Sequence, residues 1–244
     1  MNGAPGLHLS GKARIGDVPL FGPLTLDVPA GRWTCLLGAS GIGKSTILRL
    51  FAGIGSGVDF EGVAGATDGA SLEGRCALMA QSDLLLPWLA TVDNVMLGAR
   101  LRGETPDRAR AMAILARAGL ADHAAKRPAA LSGGQRQRAA LARTLFEERP
   151  VVLLDEPFSA LDALTRARMQ DLAAELLQGR TVLHVTHDAA EAARLGEALL
   201  LMTGAGIEET APPDSPVPRA FDAPQTLALQ GALMRRLMAI GAPA

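Results

Sequence analysis

The sequence predicts an α/β fold with a mostly parallel sheet, and three observations predict it. The apolar, β-prone run Trp33–Leu37 leads into a glycine-rich loop, and Ile47–Phe51 behind the loop has helical character. Two further apolar strands, Val151–Leu154 and Thr181–Val185, each follow a helical stretch, so they should lie parallel, joined by crossover helices. The loop itself, Gly38-Ala39-Ser40-Gly41-Ile42-Gly43-Lys44-Ser45-Thr46, matches the phosphate-loop pattern G-x-x-x-x-G-K-[ST] without a mismatch, between strand and helix as that pattern requires.

Glycines at 38, 41 and 43 let the backbone fold back with its N–H groups inward, and the following helix adds the partial positive charge of its N-terminus. Such a nest suits a di- or triphosphate. Lys44 would reach the outer phosphates, Ser45 would ligate Mg²⁺, and Thr46 would cap the helix or touch the α-phosphate. The plain alternative is a glycine-rich turn. Against it stands the lysine: of 24 basic residues only Lys12, Lys44 and Lys126 are lysines, and one falls where a compact ammonium is needed and the broad guanidinium fork cannot substitute.

Composition bounds the rest. A chain of 244 residues can bury a large core as one α/β domain or two small ones. A net charge of −1 gives no electrostatic case for nucleic acid as a partner. Cys35 and Cys76, both in apolar strand-like runs, read as buried free thiols of a reducing compartment, with no catalytic or metal role. The start, Met1 to Gly6, shows neither the basic nor the apolar region of a secretion signal. The apolar runs Leu84–Ala90 and Ala198–Met202 are far too short to span a bilayer, so work at a membrane requires another chain to cross it.

In chain order, Leu7–Gly11 and Leu24–Val28 alternate apolar with polar residues, as antiparallel strands with one wet face do. Pro29–Arg32 turns into the buried strand before the loop. Gly53 to Gly74 is glycine-rich and predicts small turns and edge strands. Cys76–Ala80 is an apolar strand that stops at Gln81. From Val92 to Leu120 the texture is helical, including Asp107 to Ala118, and reads as a helical insertion. Ala211 to Pro218 is a proline-rich linker, and Thr226 to Ile240 an amphipathic helix.

Two more segments carry chemistry. Val151–Leu154 places Asp155 at the carboxyl end of a buried strand, where open α/β sheets bind ligands, so Asp155 can hold Mg²⁺ opposite Ser45. Glu156, next in line, is positioned to accept a hydrogen bond from a water attacking the γ-phosphate. Read alone the two are an acidic pair at a strand end; behind the phosphate loop they read as a site. Leu131-Ser132-Gly133-Gly134-Gln135 opens a helix through Arg143, with Ser132 as N-cap and two glycines leaving the first-turn N–H groups open, a second anion-binding helix terminus. An ordinary capped helix accounts for Ser132 but not for glycines that cost up to about 1 kcal/mol each. One nucleotide has no use for two such termini unless the second serves a nucleotide held by another copy.

The chain here resembles the ATP-binding cassette (ABC) family over nearly its whole length. The phosphate loop corresponds to Walker A, Gln81 to the Q-loop, Leu131 to Gln135 to the signature, Val151 to Glu156 to Walker B, Ser159-Ala160-Leu161-Asp162 to the D-loop, and His187 to the switch histidine. The resemblance implies a P-loop NTPase (RecA-like) core with an antiparallel β subdomain. It also implies a helical subdomain inserted at about 84–145, an ATPase domain over 1–210, and a short linker and helix over 211–244. It implies ATP and Mg²⁺ as cofactors and a head-to-tail dimer of two copies, in which Ser132, Gly133, Gly134, Gln135 and Asp162 contact the nucleotide held by the partner. Gln81 would touch Mg²⁺ and the attacking water, Glu156 would be general base, and His187 would contact the γ-phosphate. His8, His123 and His184 have no such support. The chain departs from the family pattern where an aromatic ring usually stacks on adenine. That place falls near Arg14-Ile15-Gly16, where Ile15 offers apolar contact and Arg14 a stacking cation, and the chain has no tyrosine.

Gln81-Ser82-Asp83-Leu84-Leu85-Leu86-Pro87-Trp88 and Thr91–Val95 are similar to the importer ATPases for nitrate, sulfonates, taurine and thiamine-pyrimidine precursors. That resemblance implies transmembrane permease subunits as partners, with exposed Leu86 and Trp88 as apolar anchors. It also implies a solute-binding protein acting indirectly, no nucleic acid, and a peripheral place on the cytoplasmic face of the inner membrane. About forty residues follow Gly204, too few for the regulatory barrel of sugar-importer ATPases. Two alternatives remain: a non-transport ABC ATPase of DNA repair or translation, and a phosphate-loop nucleotide kinase, which leaves Leu131 to Gln135 unexplained.

Overall fold

Alternation in the first strands is realised as an antiparallel pair, in a computed structural model that describes residues 3–55 and 57–241. Met1 and Asn2 of the expected 1–210 domain, Ser56 of the glycine-rich stretch, and 242–244 of the expected C-terminal segment lie outside the described residues. Strands β1 (Leu7–Ile15) and β2 (Val18–Val28) pair so that Leu7 faces Val28 and Leu9 faces Leu26. All four of these side chains are buried, while Ser10 and Thr25 lie on the wetter face. Strand β3 (Trp33–Gly38) is buried at every residue and runs into helix α1 (Lys44–Phe51). Strand β4 (Asp59–Ala66), from the glycine-rich stretch, adds to β1 on its other side, giving the order β2-β1-β4.

The chain divides into two compact units. The first holds the described residues of Met1–Cys76, Arg149–Asp155 and Gln178–Ala244; the second holds Ala77–Glu148 and Glu156–Leu177. Strand β5 (Cys76–Met79) carries the chain from one to the other.

The second unit is helical: α2 (Thr91–Val95), α3 (Leu97–Leu101), α4 (Arg108–Arg117), α5 (Gly133–Phe146) and α6 (Ala163–Leu176). Its core is Val92, Val95, Ile114, Leu115, Leu141 and Leu145, on faces spaced for helices. The buried amide of Asn94 accepts from the Leu86 N–H at 2.7 Å and donates to the Leu86, Leu89 and Ala90 carbonyls. That clamp sets which side chains of 84–90 reach solvent. Trp88 and Leu84 are exposed; Leu86, expected beside Trp88 as an exposed anchor, is half-buried because Asn94 pins its backbone.

In the first unit, β6 (Val151–Asp155), β7 (Thr181–Val185), β8 (Ala198–Thr203) and β9 (Gly206–Thr210) join β3 in the order β6-β7-β3-β8-β9. The first four are mutually parallel and β9 is antiparallel to β8. β6 and β7 are buried throughout, as strands covered on both faces are. Helix α7 (Ala189–Leu195) follows β7, and α8 (Pro224–Gly241) packs against α7 with Leu229 and Leu233 buried. The buried guanidinium of Arg219 donates to the carbonyls of Ala193, Gly196 and Pro213 and to Ser215 Oγ, so the proline-rich segment before α8 is fastened to the end of α7. Among the described residues no helix is long and apolar enough to cross a membrane. Cys35 is fully buried as expected, and burial pushes its thiol up; Cys76, at the start of β5, is half-buried rather than buried, its pKa raised to about 11 by desolvation.

Candidate nucleotide site

The loop after β3 is shaped by backbone that only glycine adopts cheaply. Gly43 caps α1 at φ +103°, and a Cβ there would meet Phe21 Cδ1 at 2.8 Å. Phe21 is thereby a buried wall of the loop. Lys44 is 6% exposed, with Nζ donating to the Gly38 and Ala39 carbonyls at 2.7 Å each. The ammonium thus closes the loop over its own first residues. Ser45 Oγ donates to Asp155 Oδ1 at 3.0 Å, joining the helix start to the end of β6.

Parallel register explains why these groups converge. Asp155 pairs with Val185 on β7, and Leu36 of β3 pairs with that same Val185. Asp155, the loop after Gly38 and the turn after Val185 therefore leave one carboxyl edge of the sheet, the ligand edge of open α/β folds. That last turn carries His187, which is exposed. Its neighbours are fixed from beneath: Thr186 Oγ donates to buried Glu191 Oε2 at 2.9 Å and accepts from the Asp188 N–H at 3.0 Å. Asp188 caps α7, accepting from the N–H groups of Ala190 and Glu191. Buried His184 lies below, its Nδ1 accepting from Trp33 Nε1 at 3.4 Å and its Nε2 3.5 Å from Glu191 Oε2. The bond between Thr186 and Glu191 went unnoticed in the sequence, although the T-x-D-x-x-E spacing spells an N-capped helix with a carboxylate on its first turn.

In the second unit, Gln81 Nε2 lies 3.4 Å from Glu156 Oε2, so the glutamine two residues past the end of β5 and the expected base meet. Glu156 stands at φ +49°, a left-handed backbone that costs a non-glycine residue about 1–2 kcal/mol. The N-terminus of α5 is a capping box: Ser132 Oγ accepts from the Gln135 N–H, and Gln135 Oε1 accepts from the Ser132 N–H at 2.8 Å. The other end of the Gln135 amide lies 2.9 Å from His123 Nε2, a contact the sequence did not suggest. A Cβ on Gly134 would come within 3.2 Å of the Ala160 carbonyl, so the glycine there permits close approach of the following loop. Asp162 caps α6 by accepting from the Thr165 N–H at 3.0 Å, and Thr165 holds its carboxyl below the usual carboxylate range. Arg136 bonds Asp83 at 3.0 Å and Arg143 donates to the Asp83 and Leu84 carbonyls, tying α5 to the segment after Gln81.

Near the expected adenine position, Arg14 lies 3.4 Å from Asp59 and Ile15 is about half exposed, at 52%. The oxygen set fits Mg²⁺: a hydroxyl and a largely buried carboxylate, 3.0 Å apart, are hard donors of the kind that ion takes beside substrate phosphates.

A lysine-closed glycine loop behind a buried central strand, with an aspartate at the carboxyl end of a parallel strand bonded to the loop's serine, defines a phosphate-loop NTPase. The chain belongs to the ABC transporter family, whose model matches residues 21–159. It is 44% identical over 220 residues to the aliphatic sulfonates import ATP-binding protein SsuB of Escherichia coli (strain K12), covering 89% of this chain and 85% of that protein. To aliphatic sulfonates import ATP-binding protein SsuB 2 of Pseudomonas aeruginosa (strain UCBPP-PA14) it is 43% identical over 236 residues, covering 96% and 85%. Among solved structures it resembles a dimeric ATP-binding cassette in a post-hydrolysis state bound to ADP and Pi, with a TM-score of 0.74 and 29% identity over 86% of this chain and 100% of that one.

Proposed function

We propose that this chain is the ATP-hydrolysing subunit of an ABC importer, and that its transporter takes up an aliphatic sulfonate. The observation that carries the reading is the pre-formed loop, with Lys44 bonded across Gly38 and Ala39 and Ser45 bonded to Asp155, in a chain whose relatives are importer ATP-binding proteins. The relatives favour an importer over a DNA-repair or translation ATPase, and a sulfonate over a thiamine-pyrimidine precursor or nitrate.

In this reading the amides of 38–46 and the Lys44 ammonium bind the phosphates of ATP. Ser45 and Asp155, with Gln81, would hold Mg²⁺, which when bound offsets charge on the β- and γ-phosphates. Two copies pair head to tail, so that Ser132, Gly133, Gly134, Gln135 and Asp162 of one meet the nucleotide of the other. Glu156 takes a proton from the water as its oxygen bonds to the γ-phosphorus and the bond to the bridging oxygen breaks, releasing ADP and inorganic phosphate. His187 contacts the γ-phosphate. Residues 1–210 would form the ATPase domain, with an insertion at about 84–145 and a closing linker and helix over 211–244. Exposed Trp88 and Leu84 offer apolar anchors to the permease, a solute-binding protein delivers cargo, and the subunit sits peripherally on the cytoplasmic face of the inner membrane.

ATP hydrolysis by the subunit assembled in lipid with its permease and binding protein tests this. Stimulation by an aliphatic sulfonate and not by a thiamine-pyrimidine precursor is expected. The reverse pattern, or no stimulation by either with basal hydrolysis intact, overturns the sulfonate cargo.

A further inference from the structure

The left-handed turn at Glu156 is gripped by a side chain from a distant helix. Gln137, on α5 and only 7% exposed, donates from Nε2 to the Glu156 carbonyl at 3.1 Å and to Ser159 Oγ at 3.1 Å. Its Oε1 accepts from the Ala160 N–H at 2.8 Å. Ser159 Oγ donates to the same Glu156 carbonyl at 3.1 Å, and the Ser159 N–H reaches it at 3.3 Å. Three donors thus converge on one oxygen, and the orientation of the Gln137 amide follows from its partners, since only its oxygen can accept from Ala160.

The location of Gln137 gives the contact a purpose. It lies five residues beyond Ser132 on the rigid helix whose first turn is the capping box, and it reaches 19 to 23 residues along the chain to grip the turn bearing the base. We propose that Gln137 is a positioning residue that fixes the Glu156 carboxylate for proton abstraction and links it to the helix start at Ser132–Gln135. A displacement of that helix start, where the partner copy's nucleotide would dock, is thereby passed to the base of the same subunit. The proposal rests on the reading of Glu156 as general base.

The test is ATP hydrolysis by the subunit assembled with its permease, comparing Gln137→Met, which keeps length without the amide, with Gln137→Glu, which sets an oxygen against the Glu156 carbonyl. Both are expected to lower kcat about 10- to 100-fold with the KM for ATP within about twofold, the pattern of a displaced catalytic group and not of lost binding. Ser159→Ala, at an exposed position, gives an independent variant that should fold normally. It is expected to lower kcat about three- to tenfold with KM unchanged, and less than multiplicatively when combined with Gln137→Met. Full kcat in Ser159→Ala and in either Gln137 variant, with turnover abolished in Glu156→Gln, overturns the positioning role. A raised KM at unchanged kcat overturns it equally. Turnover that survives Glu156→Gln removes the base assignment, and the proposal with it.

Discussion

The phosphate loop and the Glu156 turn both use left-handed backbone, and they hold it by opposite means. At Gly43 the conformation is free because the residue has no side chain, and the space a Cβ would need is filled by Phe21. At Glu156 a side chain must be displayed, glycine is ruled out, and the strained turn is fastened by Gln137 and Ser159. A loop that only cradles phosphates can be built from backbone and be autonomous; a turn that presents a base needs scaffolding from a residue distant in sequence. The first should fail all at once when its fixed points change, and the second should degrade by degrees.

The largest expected effect is at Lys44. Lys44→Ala removes a buried, charge-assisted donor worth about 2–4 kcal/mol toward phosphate, so ATP affinity measured by calorimetry should fall about 100-fold or more. Gly43→Ala comes next: a left-handed alanine costs about 1–2 kcal/mol before the clash with Phe21, so the melting temperature should drop by about 4 °C or more, with weaker ATP binding. An unchanged melting temperature would break the comparison at its first limb. Thr186→Val should be milder. It removes the hydroxyl between Glu191 and Asp188, beneath His187, and should lower hydrolysis by the equivalent of about 1–2 kcal/mol, while Thr186→Ser keeps the wild-type rate. The smallest effect belongs to Asp83→Ala, which cuts a half-exposed pair with Arg136 worth about 1 kcal/mol at most. Its expected signature is faster amide exchange at Leu85, whose N–H Asp83 accepts, with hydrolysis nearly unchanged.

Motifs with local spacing were legible in the sequence because their chemistry is local. Gly38 to Thr46, Asp155 after four apolar residues, and the Ser132 cap each announce themselves within a few positions, and the structure places Ser45 against Asp155 as that reading required. Helix limits were readable for the same reason: Asp107 to Ala118 is α4 with its caps, and Thr226 to Ile240 lies inside α8. Contacts made across long separations were not legible. Nothing near Gln137 announces partners 19 to 23 residues away, and nothing near Leu86 shows that Asn94 will pin it. Strand β8 was weighed only as a membrane span, because a short apolar run carries no sign of which neighbours it will pair with.

The most direct test of the central claim, that one copy's phosphate loop works with another's signature turn, is sedimentation of the Glu156→Gln subunit. Without hydrolysis, ATP should convert it to a stable dimer while ADP leaves it monomeric, and adding Ser132→Ala should weaken that dimer. A Glu156→Gln protein that stays monomeric in ATP and hydrolyses it at the wild-type rate would contradict the account.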